Sequence, residues 1–317
     1  MSRHTISANL HRPTRRPLTD SPIAPRTSIL VAYFASALLM QSAARTAYAQ
    51  PSRAADTSGR SAAPPIQDNS FLIEESYNQA AGVVQHIFNY VREENGTGST
   101  FLFTQEWPAP GVRHQLSYSV PLERADATTG TGFGDLHLNY RYQLVGDGDA
   151  VVAIAPRLTA ILPTGDYRRG RGTGTLGGEA WLPISVVLAS QLVAHANAGI
   201  TLTPHAKDSD GARATTRDRT AAGSMVWLAH PRFNFLLEVL YQETQDVVGP
   251  GATNRSDHLT ISPGIRWAYN FASGLQIVPG LAIPFGAGPS RGERSVFVYL
   301  SFEHPFTRRR LEKQSRG

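Results

Sequence analysis

Leu136-His137-Leu138-Asn139-Tyr140-Arg141-Tyr142-Gln143-Leu144 alternates without a break: the even positions are apolar or aromatic and the odd ones polar. Side chains on a strand point to opposite faces at every step, so this stretch reads as a strand with one greasy and one wet face. Segments of roughly ten residues with this pattern, separated by turns, are the signature of an outer-membrane β-barrel. A half-buried strand of a soluble sandwich alternates too, so the rest of the chain has to decide.

The pattern recurs. Leu116, Tyr118, Val120 and Leu122 alternate with Gln115, Ser117 and Ser119; Leu259, Ile261, Ile265, Trp267 and Tyr269 alternate with Thr260, Ser262, Arg266 and Asn270. Strands are predicted over 83–93, 99–107, 112–123, 133–145, 150–162, 178–189, 192–203, 219–229, 232–245, 257–269, 273–285 and 293–304. The breaks alternate in length, short at 108–111, 146–149, 190–191, 230–231 and 270–272, longer at 124–132, 163–177, 204–218, 246–256 and 286–292. Bacterial barrels have short periplasmic turns on one rim and longer loops on the other, with an even strand count. Twelve strands also bring both ends to the periplasmic side. Tyr90, Trp107, Phe133, Trp181, Trp267, Tyr269, Phe271, Phe302 and Phe306 fall near strand ends, where an aromatic girdle is expected. The fold class is therefore all-β, a single antiparallel up-and-down transmembrane barrel over 70–306.

The ends fit an exported barrel. Ile29 to Met40 is a short apolar run behind Arg12, Arg15, Arg16 and Arg26, and it leads to Ala47-Tyr48-Ala49. Those are the parts of a secretory signal peptide, 1–49, cleaved before Gln50. Crossing a bilayer as a helix takes about 20 apolar residues, more than this run offers. Residues 50–69, rich in Ser, Ala, Pro and Arg, read as a disordered linker. Residues 70–82 fit a short helix or an extended lead into the first strand, and periodicity does not choose. Residues 307–317 form a basic tail. The formal charge of +5 suggests a nucleic-acid partner until it is located. Arg3, Arg12, Arg15, Arg16, Arg26 and Arg45 against Asp20 place that whole excess in the leader, so no nucleic acid is expected. The chain has no cysteine, which excludes disulfides and thiolate metal sites.

Three stretches resemble a known family: Gly132-Phe133-Gly134-Asp135-Leu136; Leu162-Pro163-Thr164-Gly165-Asp166 followed by Gly172-Thr173-Gly174; and Tyr77-Asn78-Gln79 with Val83-Val84-Gln85-His86. In order and spacing they are similar to the outer-membrane transporter-like family named after the MetA pathway of phenol degradation. The resemblance implies an outer-membrane barrel that passes small hydrophobic or aromatic compounds, with no catalytic residues to carry over. The basic tail after Phe306 departs from barrels that end on an aromatic.

Other chemistry is weaker. Gly172-Thr173-Gly174-Thr175-Leu176-Gly177 matches a dinucleotide-binding pattern, but a strand follows it where a helix is required, so it reads as a flexible surface loop. Arg168, Arg169 and Arg171 in that loop read as solvated charges, with contacts to anionic groups as the rival. An outer-membrane lipase or deacylase is the enzymatic rival, yet no G-x-S-x-G elbow accompanies His86, His114, His137 or His195. A soluble β-sandwich binding module and a non-conducting structural or binding barrel compete with the channel as well. No catalytic, cofactor or metal site is expected. The residues expected to line the lumen are Arg113, His137, Asn139, Arg141, Arg157, His195, Asn197, Glu238, Arg266 and Glu303, together with Gln115, Gln143, Thr159, Gln242 and Asn270. Such a lumen is wet, and its excess of arginine over glutamate predicts a slight anion preference. The partners implied are outer-membrane lipids, a small-molecule solute and the barrel assembly machinery.

Overall fold

The computed structural model describes residues 66, 70–94, 98–124 and 130–305. The proposed leader, almost all of the 50–69 linker, Phe306 and the tail lie outside the described residues. Among those described, twelve antiparallel strands follow one another around a closed wall: β1 Val83–Glu93, β2 Ser99–Pro108, β3 His114–Arg124, β4 Leu136–Tyr142, β5 Arg157–Leu162, β6 Gly177–Ala189, β7 Leu192–Lys207, β8 Arg213–His230, β9 Phe233–Gly249, β10 Ala252–Trp267, β11 Gln276–Ala282 and β12 Ser295–Pro305. β1 pairs with both β2 and β12, and β12 with β11, which closes the ring. Closure is what a sheet in lipid requires, because an open edge leaves backbone groups without partners. No helix among the described residues is long and apolar enough to cross a membrane.

The alternation holds in the structure. Leu138 is 45% exposed and Asn139 only 5%. Leu158, Leu237, Val239, Leu281 and Val298 likewise expose large apolar side chains on the outer face, the band that lipid covers. A fluorophore on a cysteine at position 138 is therefore expected to be quenched by brominated lipid, and one at 139 to escape it; equal quenching at both positions would show the register to be wrong.

Two features differ from expectation. The breaks expected at 204–218 and 246–256 are mostly strand: β7 to β10 hold 16, 18, 17 and 16 residues, and the turns shrink to 208–212 and 250–251. About ten residues suffice to cross the bilayer, so these hairpins stand above it, where both faces meet water and the apolar half of the alternation vanishes while the ladder continues. Trp181 does not belong to a girdle; it is fully buried and shares the inward register of β6 with Glu179 and Ser185.

The β10–β11 seam is thin. Its pairing comes in pieces, Gly264–Arg266 with Gly280–Ala282, Thr260–Ile261 with Phe285–Gly286 and, past the end of β10, Tyr269–Asn270 with Gln276–Ile277. Pro263, Pro279 and Pro284 lie along it and have no N–H to donate.

Candidate functional site in the barrel lumen

Residues 70–79 run inside the barrel, in extended irregular backbone that is neither a helix nor part of the sheet. The reason lies in where the amide hydrogens go. A buried backbone donor needs an acceptor, and here lumen side chains provide them in place of the segment's own carbonyls. Phe71 and Leu72 N–H both donate to Glu238 Oε1 at 2.9 Å, Glu74 N–H to Asn197 Oδ1 at 2.7 Å, and Ser76 N–H to Ser185 Oγ at 2.8 Å. Asn78 N–H donates to Gln143 Oε1 at 3.1 Å and Gln79 N–H to Gln115 Oε1 at 2.7 Å. The acceptors belong in turn to β9, β7, β6, the residue after β4, and β3, so the segment travels round the inner wall before it turns into β1.

Carbonyls are caught in return. Asn197 Nδ2 donates to Glu74 O at 2.9 Å, Gln143 Nε2 to Ser76 O at 2.8 Å and Arg141 Nη2 to Tyr77 O at 2.7 Å. Asn197 and Gln143 thus each hold the segment by a donor and an acceptor, as a neighbouring strand would. The charges are matched as well. Glu74 pairs with Arg157 and lies 3.7 Å from Arg141; Arg157 also reaches Glu179 at 2.8 Å; Glu75 pairs with Arg266 at 3.3 Å. Burying unpaired ions is costly, so the internal arginines and the internal acids account for each other.

This places the residues expected in the lumen. Asn139, Arg141, His195, Asn197, Glu238 and Arg266 are buried, and His137, Arg157 and Glu303 are half-buried on the same register. Asn139 sits in a wall network, donating to Ser117 and accepting from Thr159. Arg113 departs from the expectation. It is exposed in the turn before β3, its guanidinium 5.3 Å over the outward Tyr142 ring, because the alternation ends with the strand. The excess of arginine is cancelled too, since Glu74, Glu75 and Glu179 face it.

The inner wall is also not uniformly wet. On β3 to β7 it is mostly polar, with Ile161 and Trp181 as exceptions, whereas on β8, β9, β11, β12 and β1 it carries Val226, Leu236, Leu240, Val278, Phe297, Tyr299 and Ile87, buried, clustered with Phe71, Leu72 and Ile73 and interleaved with Ser224, Glu238 and Ser301. The segment matches it, apolar at 71–73 and polar at 74–79. In Phe233-Asn234-Phe235-Leu236-Leu237-Glu238-Val239-Leu240 the outward register is wholly apolar and the inward one mixes Leu236 and Leu240 with Asn234 and Glu238, so β9 brings both apolar surface and an anchor to the lumen.

The motifs shared with the resembling family divide between two jobs. Tyr77, Asn78 and Gln79 anchor the segment, with Gln79 Nε2 donating to Gln85. The remaining two build a clasp on the long-loop rim. Asp135 accepts from Gly165 N–H at 2.9 Å and Thr173 N–H at 2.8 Å, and Thr164 Oγ1 donates to Gly134 O at 3.0 Å. Burial pushes the Asp135 carboxyl above its usual range, against the pull of those amides. Gly172, at φ +100°, leaves no room for a Cβ, which would sit 2.3 Å from Asp135 Oδ1. The glycine-rich stretch is thus a fixed loop rather than a flexible one. Arg171 in it is buried and donates to Gly130 O, while Arg169 and Arg168 stay on Asp166 and the Tyr167 ring.

A closed barrel of twelve strands, greasy outside and crossed inside by residues 70–79, defines an outer-membrane β-barrel protein. The chain belongs to the family described as Putative MetA-pathway of phenol degradation, whose model matches residues 55–287. Among solved structures it is similar to the COG4313 outer membrane channel from Pseudomonas putida F1, with a TM-score of 0.53 at 12% identity, covering 72% of this chain and 97% of that one. The NanC porin aligns with a TM-score of 0.47 at 8% identity, covering 68% of this chain and 98% of that one. No curated protein matches the chain in sequence.

Proposed function

We propose that the protein is a channel of the bacterial outer membrane for small apolar and aromatic solutes, exported by its 1–49 leader and inserted by the barrel assembly machinery. The apolar half of the inner wall carries this reading. Phe71, Leu72 and Ile73 cover Phe297, Tyr299, Val278 and Leu236; uncovering that surface to water costs roughly 25 cal/mol per Å², so whatever passes when the segment moves aside has to cover it, and ions and sugars do not. Greasy solutes do, and residues 70–79 close the remainder to bulk water. Toluene is expected to enter vesicles with lipopolysaccharide in the outer leaflet faster when the protein is present, and glucose is not. Equal acceleration of both, or of neither, would reject the reading, the latter in favour of a structural barrel.

A hydrolase is the second reading, because Ser185 Oγ lies 2.8 Å from His195 Nδ1 and Glu75 Oε1 lies 3.7 Å from His195 Nε2. Nucleophile, base and acid stand in order. The hydroxyl, however, is fully buried and already accepts the Ser76 amide, and Glu75 is committed to Arg266. The arrangement serves to hold the segment, and the reading here is non-enzymatic, without cofactor.

A further inference from the structure

We infer that Phe71 occupies a binding site for a single aromatic ring in the lumen wall, and that an aromatic solute enters this site by displacing it; the inference rests on the channel reading above. The site has a floor and walls of its own. Phe71 stacks on Phe297 at 5.4 Å between centroids and 26° between planes, and tilts against Tyr299 at 5.2 Å and 36°. Both are offset arrangements that aromatic pairs favour. Beside these two residues on the same wall the ring lies over two glycines of adjacent strands, Gly264 of β10 and Gly280 of β11. A Cβ on Gly264 would come within 2.7 Å of the ring, and one on Gly280 within 2.4 Å. Any larger residue at either position would close the slot, so these glycines leave a recess one ring deep.

The two amides at the occupant share one carboxylate. The Phe71 ring is only 2% exposed, and the backbone beside it is tied to the wall through Glu238, which accepts both the Phe71 and the Leu72 amide. Phe71 therefore behaves as a ligand tethered within a strap, with Ser70 against Ser224 and Ile66 in the same cluster on its N-terminal side. A free ring of the same size, such as toluene, meets the same stacking faces and the same recess, and its binding requires the strap to let go at Glu238. The affinity of the wild-type protein is lowered by the fraction of time that the slot is filled. The recess lies on the β10–β11 seam, where the ladder is interrupted by prolines and comes in short pieces.

Hydrogen–deuterium exchange on the full mature protein, titrated with toluene, tests this without a mutation. The Phe71 and Leu72 amides are expected to lose protection at saturation, while those of Asn78 and Gln79 keep theirs. Phe71→Ala should bind toluene about tenfold more tightly than wild type, because the competitor is gone. Phe103→Ala, which removes a ring from the lipid-facing surface, should leave the affinity unchanged, and Phe71→Ala with Gly280→Leu should abolish binding. Unchanged protection at 71–72 with equal affinities for wild type and Phe71→Ala would overturn the inference. Vesicle uptake separates this from the channel reading: toluene flux without displacement of Phe71 overturns the self-occupied site alone, whereas displacement without flux overturns the channel alone.

Discussion

Removing residues 50–79 while keeping the leader is expected to turn a nearly silent barrel into an open pore. With the segment in place, its backbone runs along the polar half of the inner wall and holds Gln115, Gln143, Ser185 and Asn197 as partners. Without it those groups are free to hydrogen-bond water. Twelve strands enclose more than the eight-stranded wall that side chains alone can fill, so conductance in a planar bilayer should rise about tenfold or more. The deletion also takes away Glu74 and Glu75 and leaves Arg141, Arg157 and Arg266 with fewer acids to face. Anion preference, which the full-length charge balance cancels, should then appear as a shifted reversal potential in a salt gradient. A deletion variant that assembles, as judged by its faster migration unheated, and still conducts like the full protein would show that the segment does not close the lumen.

Arg266→Met is expected to loosen the segment by about a hundredfold or more. Arg266 is almost fully buried and its guanidinium lies 3.3 Å from Glu75 Oε1. Taking away one partner of a buried pair leaves an uncompensated charge, which costs roughly 3–5 kcal/mol. The β10 ladder to β9 runs unbroken past this position, pairing Asn234 with Arg266, so the cost falls on docking of the segment rather than on the wall. It should appear as lost exchange protection over 71–79 together with channel openings that resemble the deletion. Adding Glu75→Leu should restore most of the protection, because an apolar pair of similar volume avoids the desolvation of both ions. If the single variant stays protected and the double is no better, the pair does not hold the segment.

Both expectations depend on Glu74 and Glu75, to which sequence patterning gives no role. Periodicity assigns nothing to 70–82 because an extended segment bound through its backbone obeys no repeat; its side chains point wherever the lumen happens to supply a partner. A charge argument is within reach, since two adjacent acids in that stretch match the surplus of arginine predicted inside the barrel. Arg113 falls outside the lumen for a related reason, because alternation says nothing about a side chain one residue beyond the ladder. Trp181 obeys a rule about aromatics at strand ends only in sequence; its inward register overrides it.

The sequence by itself determined the barrel, twelve alternating antiparallel strands closed on themselves, because a period of two is a local property of each strand and closure is what lipid imposes on such a sheet. It also carried the motifs that form the rim clasp and the anchor of the segment. Only the tertiary structure decided what those inward side chains do. Glu238, Asn197, Gln143 and Gln115 are far apart in sequence and on different parts of the wall, and they act together only because one strip of chain passes them in turn. The recess beneath Phe71 likewise exists only where Gly264 and Gly280 come to face the same ring across a seam. The passage of a segment far from them in sequence over that pair of strands, rather than any pattern within one strand, creates the contact.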